Sequence, residues 1–240
     1  MVSELDAQLI DRLRGAPFFQ GLEPEAMEAA GRTATLQRVG RGGYFFHQGE
    51  AANTLYVLTR GRVKLLQVTP EGDEVLLRFE GPGELFGGVG TLAHTAYPAS
   101  AQALEESEAL AWDAASMRAL MERQPRLALN ALEMLAERLR ELQDRYRELA
   151  TQRVEQRLAH AVLRLAMQCG RALPGGILLD VRLSREDLAN MTGTTLYTVS
   201  RILSRWEQQG LVKSRRERVL LRDPQGLTEI AEDRREDPAT

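Results

Sequence analysis

The sequence predicts an α+β chain: a β-rich N-terminal domain of sandwich or jelly-roll type, a long amphipathic helix, and a small helical C-terminal domain closed by a two-stranded wing. Three observations predict it. Glycines recur through the first half (Gly40, Gly43, Gly49, Gly61, Gly72, Gly81, Gly83, Gly87) with strand-like segments between them. Apolar residues then recur at spacings of 3 and 4 from Leu132 to Leu149. Finally, residues 183–203 read as two short helices joined at Gly193, and two short strands follow.

In the first domain (residues 1–113), Leu5–Leu13 and Pro24–Gly31 have the pattern of short helices. The strand-like segments are Gly43–Phe46, Thr54–Thr59, Gly61–Val68, Asp73–Phe79, Ser100–Ala103 and Glu108–Asp113. Short strands at this spacing point to a sandwich or jelly roll. The run Gly87-Gly88-Val89-Gly90 is a poor dinucleotide fingerprint because no helical pattern follows it, and it reads as a tight loop.

Residues 114–150 read as one helix of roughly 35 residues, or ~50 Å. Leu132, Leu135, Leu139, Leu142, Tyr146 and Leu149 follow the 3-4-3-4-3 spacing of a coiled-coil seam, flanked by charges of both signs. A β-domain can hardly bury a stripe of that length. The expectation is a parallel homodimer, whose two-fold axis presents two copies of one C-terminal element.

Residues 151–226 hold that element. Ser184 is a natural N-cap, Asp187 adds negative charge to the first turn, and Gly193 suits a turn that needs positive φ. Thr194 or Thr195 can cap the second helix, along which Val199, Ile202, Leu203 and Trp206 make one buried stripe. The opposite face carries Thr195, Tyr197, Ser200, Arg201, Ser204 and Arg205, groups suited to phosphates and base edges together. Gly210 falls where a helix terminates, and Leu211–Ser214 and Val219–Leu221 look like strands flanking a basic turn that contains Arg215 and Arg216. Helix, turn, helix and a wing with a cationic tip form the winged helix-turn-helix pattern. The acidic tail, residues 227–240, is expected to fray from Glu229 onward.

Charge agrees with this division. The 240 residues carry a formal net charge of −3, but residues 151–226 hold 13 Lys/Arg against 7 Asp/Glu, while residues 1–150 hold 16 against 22. Basic charge thus concentrates where phosphates would be met. The single cysteine, Cys169, excludes an internal disulfide framework and a multi-cysteine metal site, and reads as a buried, inert thiol. No apolar run approaches a membrane span and the N-terminus lacks a signal-peptide pattern, so the expected location is the cytoplasm, away from membranes.

Several runs resemble the cyclic-AMP receptor protein / fumarate–nitrate regulator (Crp/Fnr) superfamily. They are Gly49-Glu50, Leu55-Tyr56-Val57, Gly61-Arg62-Val63-Lys64, Gly72, Gly83-Glu84-Leu85-Phe86-Gly87, the long helix, and Thr198-Val199-Ser200-Arg201-Ile202-Leu203. The resemblance covers nearly the whole chain. It implies a bacterial transcription regulator, not an enzyme, with a sensory β-roll of the cyclic-nucleotide-binding type, a dimerisation helix and a winged helix on a palindromic operator in double-stranded DNA. RNA polymerase is the implied further partner. By this resemblance the effector region is Gly87, Gly88, Val89, Gly90, Tyr97, Pro98, Ala99 and Ser100, and the DNA-binding set comprises Thr194, Leu196, Arg215 and Arg216 with the face named above.

Departures narrow the branch. Gly88 stands where the cyclic-AMP branch has the Glu that meets ribose, and Pro98 where it has the Arg that pairs with phosphate. A cyclic phosphate without that cation loses a charge-assisted bidentate bond, which weighs against cyclic AMP. An iron–sulfur cluster needs N-terminal cysteines, and there are none. A haem-dependent gas (NO/CO) or redox-sensing regulator of the same family stays open, with His94 and His160 as candidate haem ligands. At the DNA, Leu196, Tyr197 and Arg201 match the family's base-reading positions. Tyr197 replaces a Glu that would accept from cytosine, so the half-site should differ from the familiar ones. Two other classes fit less well. A cupin-like metal enzyme needs clustered histidines, and His47 near Glu50 stands alone. A pure interaction module needs no polar recognition face.

Overall fold

The computed structural model describes residues 12–215 and 218–234. A 3-10 turn (Pro17–Phe19) and helix α1 (Pro24–Thr33) precede the strands β1 (Thr35–Val39), β2 (Tyr44–Phe46), β3 (Thr54–Arg60), β4 (Val63–Val68), β5 (Glu74–Glu80) and β6 (Leu85–Phe86). Helix α2 (Gly88–Ala93) then leads to β7 (Ser100–Ala103) and β8 (Ser107–Asp113). The strands make two four-stranded sheets in the orders β1-β8-β3-β6 and β2-β7-β4-β5.

The period-2 alternation of β3 gives each sheet face its own core. Tyr56 and Leu58 point inward with Phe45, Phe46, Phe86, Tyr97 and Ala101, while Leu55 and Val57 point to the other side. On that outer side they meet Phe18, Phe19, Met27, Trp112, Met117 and Leu127, all buried. Buried polar groups there are satisfied: Trp112 donates to the Ala30 carbonyl at 2.9 Å, and Asn130 Nδ2 donates to the Phe18 and Gln20 carbonyls at 2.9 Å each.

The expected 35-residue helix is two helices, α3 (Ala114–Arg123) and α4 (Pro125–Thr151). Asp113 caps α3 by accepting from the Ser116 amide at 2.8 Å. Proline pushes the residue before it out of the α region, and Gln124 sits at φ −129°, ψ 79°. The seam of α4 is open along its length: Leu132, Leu135, Leu139, Leu142, Tyr146 and Leu149 are all between 50% and 75% exposed.

Beyond α4 come α5 (Val154–Cys169), β9 (Gly170–Leu173), β10 (Gly176–Leu179), α6 (Arg185–Thr192), α7 (Leu196–Gln208), β11 (Val212–Arg215), β12 (Arg218–Leu221) and α8 (Pro224–Ala231). The wing hairpin β11–β12 belongs to a four-stranded sheet, order β11-β12-β10-β9. Fraying of the tail from Glu229 is corrected for its first part. Asp223 caps α8 by accepting from the Gly226 amide at 2.9 Å, and Leu227, Ile230 and Ala231 are buried, with α8 packed on α5. Residues 235–240 and most of the expected Leu5–Leu13 helix lie outside the described residues. By its contacts the chain divides into two units. One is the chain up to Val68 with Arg78–Glu141; the other is Thr69–Leu77 with the chain from Leu142 onward.

Candidate nucleic-acid interface

Local chemistry sets the geometry of the two short helices. Ser184 Oγ accepts from the Asp187 amide at 2.9 Å, and Asp187 Oδ2 accepts from the Ser184 amide at 2.7 Å, a reciprocal capping box. Gly193 ends α6 at φ 59°, ψ 49°; a Cβ there would also lie 3.2 Å from the Leu149 side chain. Thr195, not Thr194, caps α7, accepting from the Thr198 amide at 3.2 Å. Arg157 on α5, which sequence reasoning passed over, donates through Nε to the Thr192 carbonyl at 2.9 Å and through Nη1 to the Gln152 carbonyl at 2.8 Å. It thereby pins the turn to α5. Nothing in its sequence context distinguishes it from any other helical arginine.

Helix α7 divides as its periodicity predicts. Val199, Ile202, Leu203 and Trp206 are buried. Tyr197 is 75% exposed and Leu196 52%; Arg201 and Ser204 are exposed, and Thr194 and Ser200 half-buried. Arg205 departs from the free cation expected: its guanidinium pairs with Glu155 of α5, which also accepts from Trp206 Nε1 at 2.8 Å. Part of its charge is therefore neutralised before any phosphate arrives. Glu207 Oε1 accepts from the Ser214 amide at 2.6 Å and ties the helix to the wing. In that wing Arg215 pairs across from Arg218. Arg216, expected in the basic turn, lies outside the described residues.

Of the eight effector-region residues, Gly88 and Val89 line an apolar cavity of the N-terminal unit that the other six do not. The Gly87–Gly90 run is not the tight loop expected: Gly87 is the αL cap of α2, and the other three begin that helix. A Cβ on Gly90 would stand 2.7 Å from the Ala52 side chain and 2.9 Å from the Ala96 carbonyl, so close approach explains that glycine. Tyr97, Ala99 and Ser100 are buried and Pro98 is exposed. Tyr97 stacks on Phe46 with centroids 3.8 Å apart, and its hydroxyl donates to the Thr54 carbonyl at 2.5 Å. Tyr56 and Phe86 stack beside them at 5.1 Å, and burial together with Tyr97 pushes the Tyr56 hydroxyl up to about 12. Aromatic rings thus fill the interior of the roll.

The histidines occupy separate settings. His94 is the αL cap of α2 and meets the Arg118 guanidinium; His160 lies 3.9 Å from Glu148 and 3.3 Å from the Gln152 amide. Among the described residues no group of three His, Cys, Asp or Glu could hold a metal ion. Cys169 is buried, with Sγ 3.0 Å from the Leu165 carbonyl.

One cluster went unforeseen. Glu80 is fully buried, with Arg78 Nε 3.2 Å and Arg138 Nη2 3.5 Å from its Oε1, and Arg138 also donates to the Leu85 carbonyl at 2.5 Å. Burial pushes the Glu80 carboxyl up to about 8 despite the two guanidiniums, and burial likewise lowers the pKa of Arg138. Between the ordinary value of 4.5 and about 8 the folded state holds a proton that the unfolded state has lost, so this group withdraws stability as pH rises through that window. At ~1.4 kcal/mol per tenfold change in proton activity, the loss reaches a few kcal/mol. Glu80→Gln should flatten the decline; urea denaturation of both proteins at pH 5 and 8.5 checks it, and parallel curves would refute the assignment.

Comparison with known proteins places these features. The profile of the "Cyclic nucleotide-binding domain" matches residues 36–124, and that of the "Crp-like helix-turn-helix domain" matches residues 156–230. The "Cyclic AMP receptor protein" of Thermus thermophilus is 34% identical over 219 residues, 91% of this chain and 98% of the relative. The chain belongs to the Crp/Fnr family of transcription regulators. As a Crp/Fnr protein it is also 30% identical to the "CRP-like cAMP-activated global transcriptional regulator" of Mycobacterium tuberculosis, over 91% of this chain and 98% of that one. Among solved structures, a CRP-family transcriptional regulator from Thermus thermophilus superposes with a TM-score of 0.67 at 30% identity, covering 82% of this chain and 96% of the other. The family's fold, a β-sheet-rich N-terminal domain, a long helix and a C-terminal helix-turn-helix, is the α+β class predicted above. No helix among the described residues is long and apolar enough to cross a membrane.

Proposed function

We propose that this Crp/Fnr regulator binds a palindromic operator as a homodimer, reads bases with α7, and answers to a signal other than cyclic AMP. The observation that carries the reading is α7 itself: a fully buried stripe holds the helix in place, while the phenol of Tyr197, the guanidinium of Arg201 and the hydroxyl of Ser204 stand in solvent. A helix held by one face and chemically equipped on the other is suited to the major groove. The open seam of α4 supports the dimer, and RNA polymerase is the further partner expected of such a regulator. Its work is binding, with no catalytic constellation invoked.

Two features weigh against cyclic AMP. Gly88 and Pro98 supply neither carboxylate nor cation, and Phe46, Tyr56, Phe86 and Tyr97 occupy the roll interior. Neither His94 nor His160 lines the apolar cavity of the N-terminal unit, so no observation promotes haem.

Arg201→Ala tests the base-reading role. On the selected operator it should cost ~1–3 kcal/mol and relax one base position, leaving random-sequence DNA little affected. Mobility shifts on both DNAs measure it; equal losses would show that Arg201 touches only phosphate. Alanine at Arg215 and Arg216 should instead weaken both DNAs alike and reduce the salt slope by about 0.9 for each phosphate no longer neutralised.

A further inference from the structure

A cavity of about 460 Å³ opens in the N-terminal unit between β6, α2, the end of α3 and the first half of α4. Small-molecule sites typically span ~300–1,000 Å³ and are mostly apolar, with few polar groups. Leu85, Leu92, Met121 and Leu135 wall this one, and small residues create the space: Gly88 on α2, Ala128 and Ala131 on α4.

The wall's single charged residue is Arg138, and its guanidinium is committed elsewhere, to the Leu85 carbonyl and the buried Glu80 carboxyl. An anionic ligand would have to compete with Glu80 for that cation. An uncharged ligand has no such competitor, and the methionine wall adapts to varied shapes.

We propose that this cavity binds an uncharged, largely apolar small molecule, aromatic or aliphatic, as the signal of the regulator. Its role as signal rests on the function proposed above; the binding itself does not. A partner helix is the competing occupant, and the register argues against it. The seam of α4 runs on through Leu139, Leu142, Tyr146 and Leu149, whereas Ala131 and Arg138 lie one position off that row and face the cavity. Ala128, Leu132 and Leu135 belong to both, so a partner lying along the seam borders the mouth, while Leu85, Gly88, Leu92 and Met121 wall the interior from other elements.

The test titrates the full-length protein with N-phenyl-1-naphthylamine, a neutral fluorophore. The expected result is a saturable rise in emission at one probe per chain. Ala131→Phe, which fills the space, should weaken binding at least tenfold, and the anionic 1-anilinonaphthalene-8-sulfonate should bind wild type at least tenfold more weakly. Should Ala131→Phe fail to fold by circular dichroism, Ala128→Phe applies the same test from the next turn. Absence of saturable binding, undiminished binding by a folded filled variant, or equal affinity for the anionic dye would overturn the proposal. Operator binding, measured without probe, reads the regulator assignment separately: a probe-binding protein that ignores DNA leaves the pocket standing and removes its role as signal site.

Discussion

Leu139→Glu combined with Leu142→Glu should leave the protein monomeric and lower its operator affinity by about 10²-fold or more. These leucines stand in the middle of the open α4 row, and each is more than half exposed in the single chain. A coiled-coil seam derives its stability from interlocking such side chains, and carboxylates placed face to face repel in a dry interface. The DNA effect follows from valency. One wing and one reading helix contact a half-site alone, whereas a dimer delivers the second at an effective concentration that raises avidity by about 10²–10⁴. Sedimentation of the variant and a mobility shift on the palindromic site give both readings. A variant that remains dimeric, or a monomer that binds at full strength, would contradict the seam's assignment.

Trp206→Ala should be the most destabilising single change in the C-terminal unit, costing about 3–5 kcal/mol. The indole is fully buried, and its Nε1 donates to Glu155, which also holds Arg205. Truncation empties the centre of the stripe beneath the reading face and leaves the carboxylate short of a donor. Amide hydrogen exchange along α7 should accelerate by about 10²–10⁴-fold, since ~1.4 kcal/mol corresponds to tenfold. Amides of β3 and β8, around Trp112 in the other unit's core, should be unchanged. Equal acceleration in both places would mean that the two units do not unfold independently.

What could be read from the chain was what is local. Ser184, Gly193 and the row Val199, Ile202, Leu203, Trp206 announce α6 and α7 because capping, positive φ and helical period act within a few residues. Six strands of the roll were legible for the same reason, from alternation between glycine turns; β1 and β6 were not. β9 was not: its four residues are all exposed, carry no alternation, and are held by pairing with β10. Helix α2 was hidden because Gly88 and Gly90 are poor helix formers, and Gly90 is kept there by close approach to Ala52 and Ala96. The break at Gln124 was visible in Pro125 and obscured by the strength of the apolar period on either side. The exposed face of α7 was legible from its period, apart from the pairing of Arg205 with Glu155. The cavity and the Glu80 cluster were not, because each joins residues from elements far apart in the chain, and no spacing encodes such a meeting.

Operator recognition of the proposed kind requires α7 to be presented twice to one duplex. The most direct measurement selects binding sites for the purified full-length protein from a random duplex pool, then counts chains per duplex by sedimentation. The expected result is enrichment of an inverted repeat whose half-sites lie about 10 base pairs apart, centre to centre, with two chains bound to each duplex. A pool that yields no enriched sequence, or an enriched site occupied by one chain, would contradict it.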